Sequence, residues 1–380
     1  MSRPTVLIIG PSPPPYNGMS VATEMLTKAM DGKISCVRLD TADRRSLSKM
    51  GKFDVANVVL AGYHGLKYLW LLLTRRPEIV YVQIAQNNLG FLRDCLFLIP
   101  ARLIGKNVVV HLNGGYFGKF YKDASSVMRG IIRFALRRTA RAVVLGDSLS
   151  DLFDGIIPRE RVRVVPNGLE DKFAAWRNDA SNGHRSTVLF LSTLMEEKGA
   201  LDVLRALPAA KERVPDIRVV FAGEWFRRSD REKAEQLVRD LHLESQVEFP
   251  GAVCGPFKYE LLKSADIFVL PTAYPFEGHP FVILEAMSAG LPIISTKRAC
   301  IPETVRDGIE GFLLDCGDTD ALAERMARLI GDERLRRQMG RASRERFLEQ
   351  YTLDRFAERM RSVFAEVLGR EHSEREAKIV

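Results

Sequence analysis

Two carboxylates, Glu277 and Glu285, stand eight positions apart in an otherwise almost wholly apolar stretch, PFEGHPFVILEAMSAGLP, which covers residues 275–292. Burying an unpaired carboxylate costs several kcal/mol, so a buried carboxylate needs a partner. An internal Lys or Arg would serve, and so would the hydroxyl groups of a bound ligand. The spacing therefore raises the hypothesis that this segment binds a ligand rich in hydroxyl groups.

A short helix is predicted over residues 281–289, with Pro280 in its first turn and Gly290 just beyond its end. The helix is apolar almost all round, which indicates burial. Glu277 precedes the helix N-terminus, where the helix dipole favours a negative charge. We expect Glu277 at the mouth of a site and Glu285 inside it. The backbone groups between them belong to Gly278, His279, Pro280 and Phe281.

Lys198 is the candidate cation for such a ligand. In FLSTLMEEKG it follows a predicted strand and stands just before Gly199, where a helix opens. An ammonium group beside the unpaired N–H groups of a helix N-terminus suits a diphosphate. A solvated surface lysine is the alternative interpretation.

The first half of the chain offers His111 and Gly18. The segment HLNGG places His111 at the carboxyl end of a strand, where parallel sheets bind ligands, although a structural histidine fits equally well. Gly18, in the loop GPSPPPYNGMS, would allow close backbone approach; a simple tight turn is the alternative. This loop lacks both G-x-G-x-x-G and G-x-x-x-x-G-K-[ST], which disfavours NAD-dependent chemistry and P-loop hydrolysis.

Length and composition indicate a two-domain globular protein. The chain has 380 residues, of which 46% are hydrophobic and 27% charged. A single core rarely serves so long a chain. The five cysteines show no CxxC spacing, which indicates reduced thiols and neither a disulfide framework nor a zinc site.

Strand and helix patterns alternate along both halves of the chain. Short Val/Ile/Leu runs such as TVLIIG, IVYVQI and NVVVHL, separated by helices, predict an α/β protein with two doubly wound parallel sheets. A cleft between the two domains is the expected active site. The predicted segments are a first domain over residues 1–170, a linker over 171–186, a second domain over 187–350 and a last helix over 351–370.

Positive charge is concentrated in the first half. The net charge is +8, and residues 1–180 contain 26 Lys and Arg against 15 Asp and Glu. One predicted helix would carry a cationic stripe formed by Arg129, Arg133, Arg137, Arg138 and Arg141. The stripe is either a solvated helix face or a contact for an anionic membrane or a phosphate-bearing ligand.

Two apolar segments, GLKYLWLLL and LGFLRDCLFLIPARLI, are interrupted by charged residues and are too short to span a bilayer. They are interpreted as core helices, with a peripheral membrane contact as the alternative. The start of the chain lacks the zones of a signal peptide. We expect a cytoplasmic protein at the inner face of the membrane.

The motifs resemble those of the family 4 retaining glycosyltransferases. EGHPFVILE is similar to that family's E-x7-E motif, and AMSAGLPII to its usual continuation. FLSTLMEEKG shares Leu, Lys and Gly with the family's G-R-L-x-x-x-K-G, and PNGLE and GFLLD resemble two further motifs. The resemblance spans nearly the whole chain, and the E-x7-E block is its most specific part.

The resemblance implies a GT-B fold, in which two Rossmann-like domains face a central cleft and the second domain holds a nucleotide-sugar donor. It implies that Glu277 contacts the hydroxyls of the donor sugar and Glu285 those of the ribose. Lys198 would neutralise the diphosphate, backbone groups of residues 278–281 would support it, and His111 would approach the reacting carbon. The reaction would need no metal ion, and the last helix would pack on the first domain.

One position departs from the family pattern. The arginine of G-R-L is Thr193 in this chain, so one charged contact to the diphosphate is absent or replaced by a hydroxyl. A lost charged hydrogen bond weakens leaving-group stabilisation by about 1.5–3 kcal/mol. Arg227 and Arg228 are candidates for a substitute cation.

The expected function is hexosyl transfer with retention from a UDP- or GDP-sugar to a glycan acceptor. A lipid-linked acceptor is expected, as in the biosynthesis of surface polysaccharide or lipopolysaccharide. The nucleotide-sugar is a co-substrate, so no cofactor, no metal and no nucleic-acid partner is predicted. The alternatives are a non-catalytic sugar-binding partner subunit and a nucleotide-sugar epimerase.

Overall fold

The computed structural model describes residues 4–14, 16–44, 55–175 and 186–369, without the side chains of residues 55–58. The chain divides into two compact units, one formed by residues 1–168 with 353–380 and the other by residues 169–352. Within the predicted linker, residues 176–185 lie outside the described part of the chain.

The first unit is built on a six-stranded sheet with the strand order β2-β1-β3-β4-β5-β6. All neighbouring strands pair in parallel. Strand IVYVQ is buried along its whole length, because a sheet covered on both faces accepts apolar side chains on both. The strands are β1 (Thr5–Gly10), β2 (Ser35–Asp40), β3 (Ile79–Gln83), β4 (Asn107–His111), β5 (Arg141–Val144) and β6 (Val162–Val164).

The helices of the first unit connect these strands. They are α1 (Gly18–Met30), α2 (Val55–Arg75), α3 (Asn88–Leu103), α4 (Phe117–Asp123) and α5 (Ser126–Leu136). Helix α3 packs against both α2 and α5, so these three helices form one layer on the sheet. Right-handed crossovers of the parallel strands require α1 to lie on the other face.

The second unit repeats this architecture with the strand order β12-β11-β10-β7-β8-β9. The strands are β7 (Ser186–Leu191), β8 (Ile217–Ala222), β9 (Val247–Gly251), β10 (Ile267–Leu270), β11 (Ile293–Thr296) and β12 (Gly311–Leu314). The helices are α6 (Ala200–Arg213), α7 (Arg228–Asp240), α8 (Gly255–Ser264), α9 (Phe281–Ser288), α10 (Ile301–Thr304), α11 (Thr319–Gly331) and α12 (Glu333–Gln350). The predicted α/β class with two doubly wound parallel sheets is confirmed.

The last helix, α13 (Leu353–Val367), packs into the first unit beside α1. Phe356, Met360 and Phe364 of this helix join the buried cluster that contains Val6 and Tyr81 of the sheet. Glu366 receives hydrogen bonds from Arg141 and Arg163 at the neighbouring strand edge, which ties the helix end to the sheet.

Each sheet contains a position where the strand order reverses. In the second unit the chain runs outward from β7 through β8 to β9, and from β10 through β11 to β12 in the opposite direction. The loops that leave β7 and β10 therefore diverge at a crevice, which is where open parallel sheets bind ligands. The corresponding pair in the first unit is β1 and β3.

Several local details differ from the sequence-based predictions. The basic helix α5 ends at Leu136, so Arg141 opens strand β5 and does not extend the helical stripe. Pro280 is the residue before α9 and not part of its first turn. Gly290 follows the helix in the left-handed conformation, φ 73°, as predicted for a terminating glycine.

None of the helices in the described part of the chain combines the length and the apolar composition that crossing a membrane requires.

Gly199 permits a close contact between the loops after β7 and β10. Its φ is +86°, and a Cβ atom there would lie 2.4 Å from the carbonyl oxygen of Pro271. The backbone N–H of Ala273 donates to Glu197 O at 2.9 Å across the same junction. A side chain at position 199 would push the two loops apart.

We predict that Gly199→Ala destabilises the second unit more than Gly251→Ala. Gly251 has a similar φ of +82°, but a Cβ there meets nothing within 4 Å. The left-handed conformation alone costs an alanine about 1–2 kcal/mol. Gly199→Ala should lower the free energy of unfolding by at least about 1 kcal/mol more, because the Pro271 carbonyl must also move. Urea unfolding measures both variants, and equal losses would contradict the close contact.

Candidate active site in the second unit

Glu277 lies in the loop after β10 and is held by two side chains. Lys198 Nζ lies 2.7 Å from Glu277 Oε2, and Thr272 Oγ1 donates to the same oxygen at 2.9 Å. Thr296 Oγ1, at the end of β11, donates to the carbonyl of Thr272 at 2.5 Å. The Glu277 carboxylate is thus held by hydrogen bonds at the carboxyl ends of the neighbouring strands β10 and β11.

Lys198 reaches Glu277 from a 3-10 turn that precedes α6. The turn covers Glu196–Lys198. The ammonium group of Lys198 lies 4.7 Å from the centre of the Tyr274 ring. Each residue of the turn makes an ion pair: Glu196 with Lys233, Glu197 with Arg227 and Lys198 with Glu277. The first two pairs tie the turn to the N-terminal half of α7, and the third ties it to the loop after β10.

The structure reverses the expected burial of the two carboxylates. The side chain of Glu277 is 7% exposed, whereas that of Glu285 is 17% exposed. Glu277 is the more enclosed residue because its loop turns back onto the strand ends, where Thr272 and Lys198 meet it. The expectation that placed Glu277 at the mouth and Glu285 inside was wrong.

Glu285 has an internal partner on a neighbouring helix. Lys258 Nζ, from α8, lies 2.6 Å from Glu285 Oε1. This is the internal lysine that the apolar surroundings of Glu285 called for. A ligand would therefore meet Glu285 as half of an ion pair.

The N-terminus of α9 lies between the two carboxylates in sequence. Because Pro280 has no N–H, the first amide of the helix is that of Phe281, and no side chain among the described residues caps it. Gly278 O accepts a hydrogen bond from Cys300 N at 3.2 Å. His279 is buried, with its ring 5.3 Å from that of Tyr351.

Of Thr193 and the two candidate arginines, only Arg227 contacts the turn over Glu196–Lys198. Thr193 is exposed in the loop after β7. Arg227 makes two hydrogen bonds to Glu197, at 3.0 and 2.7 Å, whereas Arg228 pairs with Glu232 along α7. The hydrogen bond from Arg227 lowers the pKa of the Glu197 carboxyl. Of the two arginines, Arg227 is the one bound to the turn that carries Lys198.

His111 is a buried residue of the first unit, at the end of β4. The Tyr81 hydroxyl contacts its Nδ1, and Tyr81 in turn packs edge-on against Phe364 of α13. Burial lowers the pKa of His111 from 6.5 to about 3, so the ring is neutral at ordinary pH. Its Nε2 is buried and finds no hydrogen-bond partner among the described residues.

Gly18 is the first residue of α1, and a Cβ there would meet nothing within 4 Å. The crowded glycine of this loop is Gly10, where a Cβ would lie 2.7 Å from Thr23 Oγ1. The preceding Asn17 caps α1 by accepting from the amides of Met19 and Ser20. The local helix cap explains the sequence around Gly18 without a ligand.

The structure thus brings Lys198 and Glu277 into direct contact and places Glu285 on the helix that follows. His111 and Gly18 belong to the first unit. Among the described residues, no group of three or more His, Cys, Asp or Glu side chains is arranged to hold a metal ion. The triplet Asp318-Thr319-Asp320 has Asp-x-Asp spacing, but Asp318 accepts from Ala321 N at 3.0 Å and caps α11.

Comparison with known protein families assigns the second unit. The model of the family described as glycosyl transferases group 1 matches residues 173–346, which include Lys198, Glu277 and Glu285. Over these residues the chain carries the domain of the group 1 glycosyltransferases. The predicted resemblance to this class of enzyme is confirmed.

The sequence similarity of this glycosyltransferase to curated relatives extends beyond the matched domain. N-acetyl-alpha-D-glucosaminyl L-malate synthase of Bacillus anthracis is 26% identical over 284 residues, which cover 72% of this chain and 72% of that protein. A GDP-mannose-dependent alpha-(1-6)-phosphatidylinositol monomannoside mannosyltransferase of Mycolicibacterium smegmatis is 29% identical over 261 residues, covering 67% and 64% of the two chains.

Solved structures give this glycosyltransferase the GT-B fold. The Anabaena protein HepE, solved in complex with UDP, superposes with a TM-score of 0.75 at 16% identity and covers 96% of this chain and 100% of that one. The predicted GT-B class is therefore confirmed over almost the whole chain. The cleft between the domains stays a prediction.

Sequence reasoning missed three residues around the glycosyltransferase site. Thr272 and Tyr274 follow β10 directly, at the strand end where ligand contacts are expected, so their position was a usable signal. Lys258 carried no such signal, because it lies on a different helix, 27 positions before Glu285.

We predict that His111 makes the stability of the first unit depend on pH. Its pKa is about 3 when folded and near 6.5 when unfolded, so between those values the unfolded chain binds the extra proton. The stabilisation is complete above about pH 6.5 and falls by about 1.4 kcal/mol per unit as the pH drops. His111→Gln should remove this slope, and the exposed His242→Gln should keep it. Urea unfolding between about pH 4 and 6 measures the slopes; identical slopes for both variants would contradict a neutral buried His111.

Proposed function

We propose that this glycosyltransferase moves a hexosyl-type group, with retention of configuration, from a UDP- or GDP-sugar to a glycan acceptor. The observation that carries the proposal is the contact between Lys198 and Glu277 at the point where the strand order of the second sheet reverses. A cation and a hydrogen-bonding carboxylate at such a crevice match the diphosphate and the hydroxyl groups of a nucleotide-sugar.

The diphosphate would lie between the ammonium of Lys198 and the N-terminus of α9. An ammonium group has three N–H donors, and the described contacts use one of them on Glu277. The amides of Phe281 and Val282 open a helix without a side-chain cap, so they are aimed at an incoming anion. Both groups would stabilise the charge that grows on the departing diphosphate.

Glu277 would accept from the hydroxyls of the donor sugar. Lys198 and Thr272 both contact Oε2, and Oε1 has no partner in the described part of the chain. Glu285, steadied by Lys258, would accept from the ribose hydroxyls. His111, with its unpaired Nε2, would be the contact of the first unit to the sugar near the reacting carbon.

The transfer would proceed on one face of the sugar. The bond from the anomeric carbon to the diphosphate oxygen breaks, and a bond to the acceptor oxygen forms on the same face. The acceptor hydroxyl proton passes to the departing diphosphate. Fixed positive charge from Lys198 and α9 would take the part that a metal ion plays in other transferases, so we propose a metal-independent reaction with no cofactor.

A lipid-linked saccharide of a surface polysaccharide or lipopolysaccharide pathway is the proposed acceptor. The mannosyltransferase relative from Mycolicibacterium carries in its name both GDP-mannose and a phosphatidylinositol glycolipid. The HepE structure contains UDP. A cytoplasmic enzyme at the inner face of the membrane would reach such an acceptor.

Incubation with UDP- and GDP-sugars, followed by an assay for free nucleoside diphosphate, tests the proposal. A transferase releases the diphosphate slowly to water and faster with acceptor. A non-catalytic sugar-binding subunit releases none, and an epimerase changes the sugar without releasing it. Thermal shifts with nucleotides of different bases would identify the donor base, because binding stabilises the folded state.

We predict that Lys198→Met lowers turnover between about ten-fold and a hundred-fold, the worth of one charged hydrogen bond to the leaving group. Lys233→Met is the matched control, because Lys233 pairs with Glu196 of the same turn and is more exposed. Nucleoside diphosphate release measures both.

Lys198→Met also leaves Glu277 buried without its cation, which destabilises the fold. The double variant Lys198→Met/Glu277→Gln removes this charge and should regain stability, and urea unfolding of both variants shows whether Lys198→Met is folded when its activity is measured. A folded Lys198→Met variant as active as Lys233→Met would exclude the proposed role.

Arg227 is the proposed substitute for the arginine that Thr193 replaces. We expect Arg227→Gln to weaken binding of the nucleoside diphosphate about five- to ten-fold, since Arg227 is held beside the turn of Lys198. Arg228→Gln should leave affinity unchanged, because Arg228 is 91% exposed and pairs with Glu232. Calorimetric titration measures the affinity of both variants for the nucleoside diphosphate. Equal affinities would show that Arg227 does not contact it.

A further inference from the structure

Helices α2 and α3 of the first unit expose an unusual amount of apolar surface. Of the nineteen large hydrophobic side chains that are exposed in the described part of the chain, ten lie on these two helices. Soluble proteins expose single apolar residues everywhere, but concentrated patches mark contact surfaces. The sequence-based interpretation of both segments as core helices holds for only one side of each.

Helix α2 is apolar on both sides. Tyr68, Leu71 and Leu72 are buried against the rest of the unit. The opposite side carries Val59, Tyr63, Leu66, Trp70 and Leu73, all exposed. These five residues recur at helical spacing and form one stripe along the helix. A helix that is apolar all round belongs in an apolar environment on both sides.

Helix α3 continues this stripe. Phe91, Phe97 and Leu98 are buried, whereas Leu89, Leu92, Leu96 and Leu103 are exposed. The two helices are in contact, and a Cβ on Gly65 of α2 would lie 4.0 Å from Leu96 Cδ1. Leu96 therefore places the exposed row of α3 against α2, and we call the two exposed rows together the α2–α3 face.

Positive charge without matching negative charge borders this face. Helices α2, α3 and α5 carry six basic residues and one acidic residue, Asp94. Asp94 is buried and accepts from Arg93 and from the amide of Ala85. The outer side of the three helices thus presents no carboxylate among the described residues.

The arginines gather at the C-terminal ends of the helices. Arg102 of α3 lies 4.2 Å from the centre of the exposed Phe134 ring of α5, and Arg137 lies 5.1 Å from the same ring. Burial and the neighbouring guanidinium groups of Arg137 and Arg138 lower the pKa of Arg102. No carboxylate in the described part of the chain pairs with these three arginines, so the cluster can contact an external anion.

We propose that the α2–α3 face docks on the surface of an anionic phospholipid membrane, with its apolar row in the headgroup region and the arginine cluster on the lipid phosphates. Tyr63 and Trp70 lie in the exposed row, and aromatic residues of this kind favour the membrane–water boundary. No described helix can span a bilayer, so the helices would lie flat.

A second copy of the chain fits the α2–α3 face less well than an anionic membrane does. A twofold interface places the same patch against itself, so the arginine clusters of the two copies would meet or lie close together. Like charges that approach at a desolvated interface repel. An anionic membrane offers an apolar boundary to the exposed row and phosphates to the arginines.

Vesicle flotation tests the proposal. The protein should float with vesicles that contain about 30% phosphatidylglycerol, bind far less to pure phosphatidylcholine, and dissociate as salt rises. Failure of the unmodified protein to bind anionic vesicles would overturn the proposal. Because no donor is needed, this result does not depend on the proposed transferase chemistry.

Leu66→Glu/Leu73→Glu should weaken vesicle binding at least about ten-fold, since it places two carboxylates in the exposed row. Both leucines are more than 70% exposed, so folding should persist. Ile309→Glu/Leu348→Glu, which changes exposed residues of the second unit, is the matched control and should bind normally. Equal binding by both double variants would exclude the α2–α3 face.

Arg102→Gln/Arg137→Gln/Arg138→Gln, which removes the charges of the arginine cluster, should lose on the order of a hundred-fold in binding to anionic vesicles, about five-fold for each charge. Trp70 emission should shift to the blue on binding, and Trp70→Phe should lose this shift. Sedimentation velocity tests whether a second copy of the chain binds this face instead. If the protein is a dimer that the leucine substitutions dissociate, and if it does not bind vesicles, the α2–α3 face is a dimer interface. An unchanged emission spectrum in bound protein would also contradict the proposal.

Discussion

The nearly buried ion pair between Lys198 and Glu277 is the interaction on which the proposed donor site depends. It joins the loops that leave β7 and β10, the neighbouring strands between which the strand order of the second sheet reverses. Thr272 holds the carboxylate from the strand end, and Gly199 allows the two loops to approach. Because each partner would be costly to leave alone in this environment, the pair fixes both loops before any ligand arrives.

The candidate site residues of the two units are buried in different charge states. In the second unit the buried charge is paired, and its loop geometry follows from the pairing. In the first unit His111 is kept uncharged by burial, which lowers its pKa, and one ring nitrogen is left without a partner among the described residues. A neutral imidazole can donate to or accept from a sugar hydroxyl without adding charge. Both arrangements suit a ligand that is charged at its diphosphate and neutral at its sugar.

Much of the fold was readable from the sequence because it depends on short-range patterns. Runs such as TVLIIG and NVVVHL predicted the buried parallel strands, and the apolar run between Pro280 and Gly290 predicted a short helix with Glu277 before it and Glu285 within it. Patterning could not decide which side of α2 meets the sheet, because both sides are apolar. The interpretation as a core helix was therefore incomplete: Tyr68 is buried, whereas Trp70 is 56% exposed.

The amino-acid sequence by itself determined the α/β class, the two sheets and the residue types available for binding a nucleotide-sugar, since these follow from periodicity and local spacing. Only the tertiary structure decided which side chains meet. Lys198 and Glu277 are 79 positions apart, and Lys258 reaches Glu285 from another helix. The relative burial of the two carboxylates was also decided at this level. Such pairings depend on how distant strands and helices pack, and packing is a property of the folded chain that local sequence does not encode.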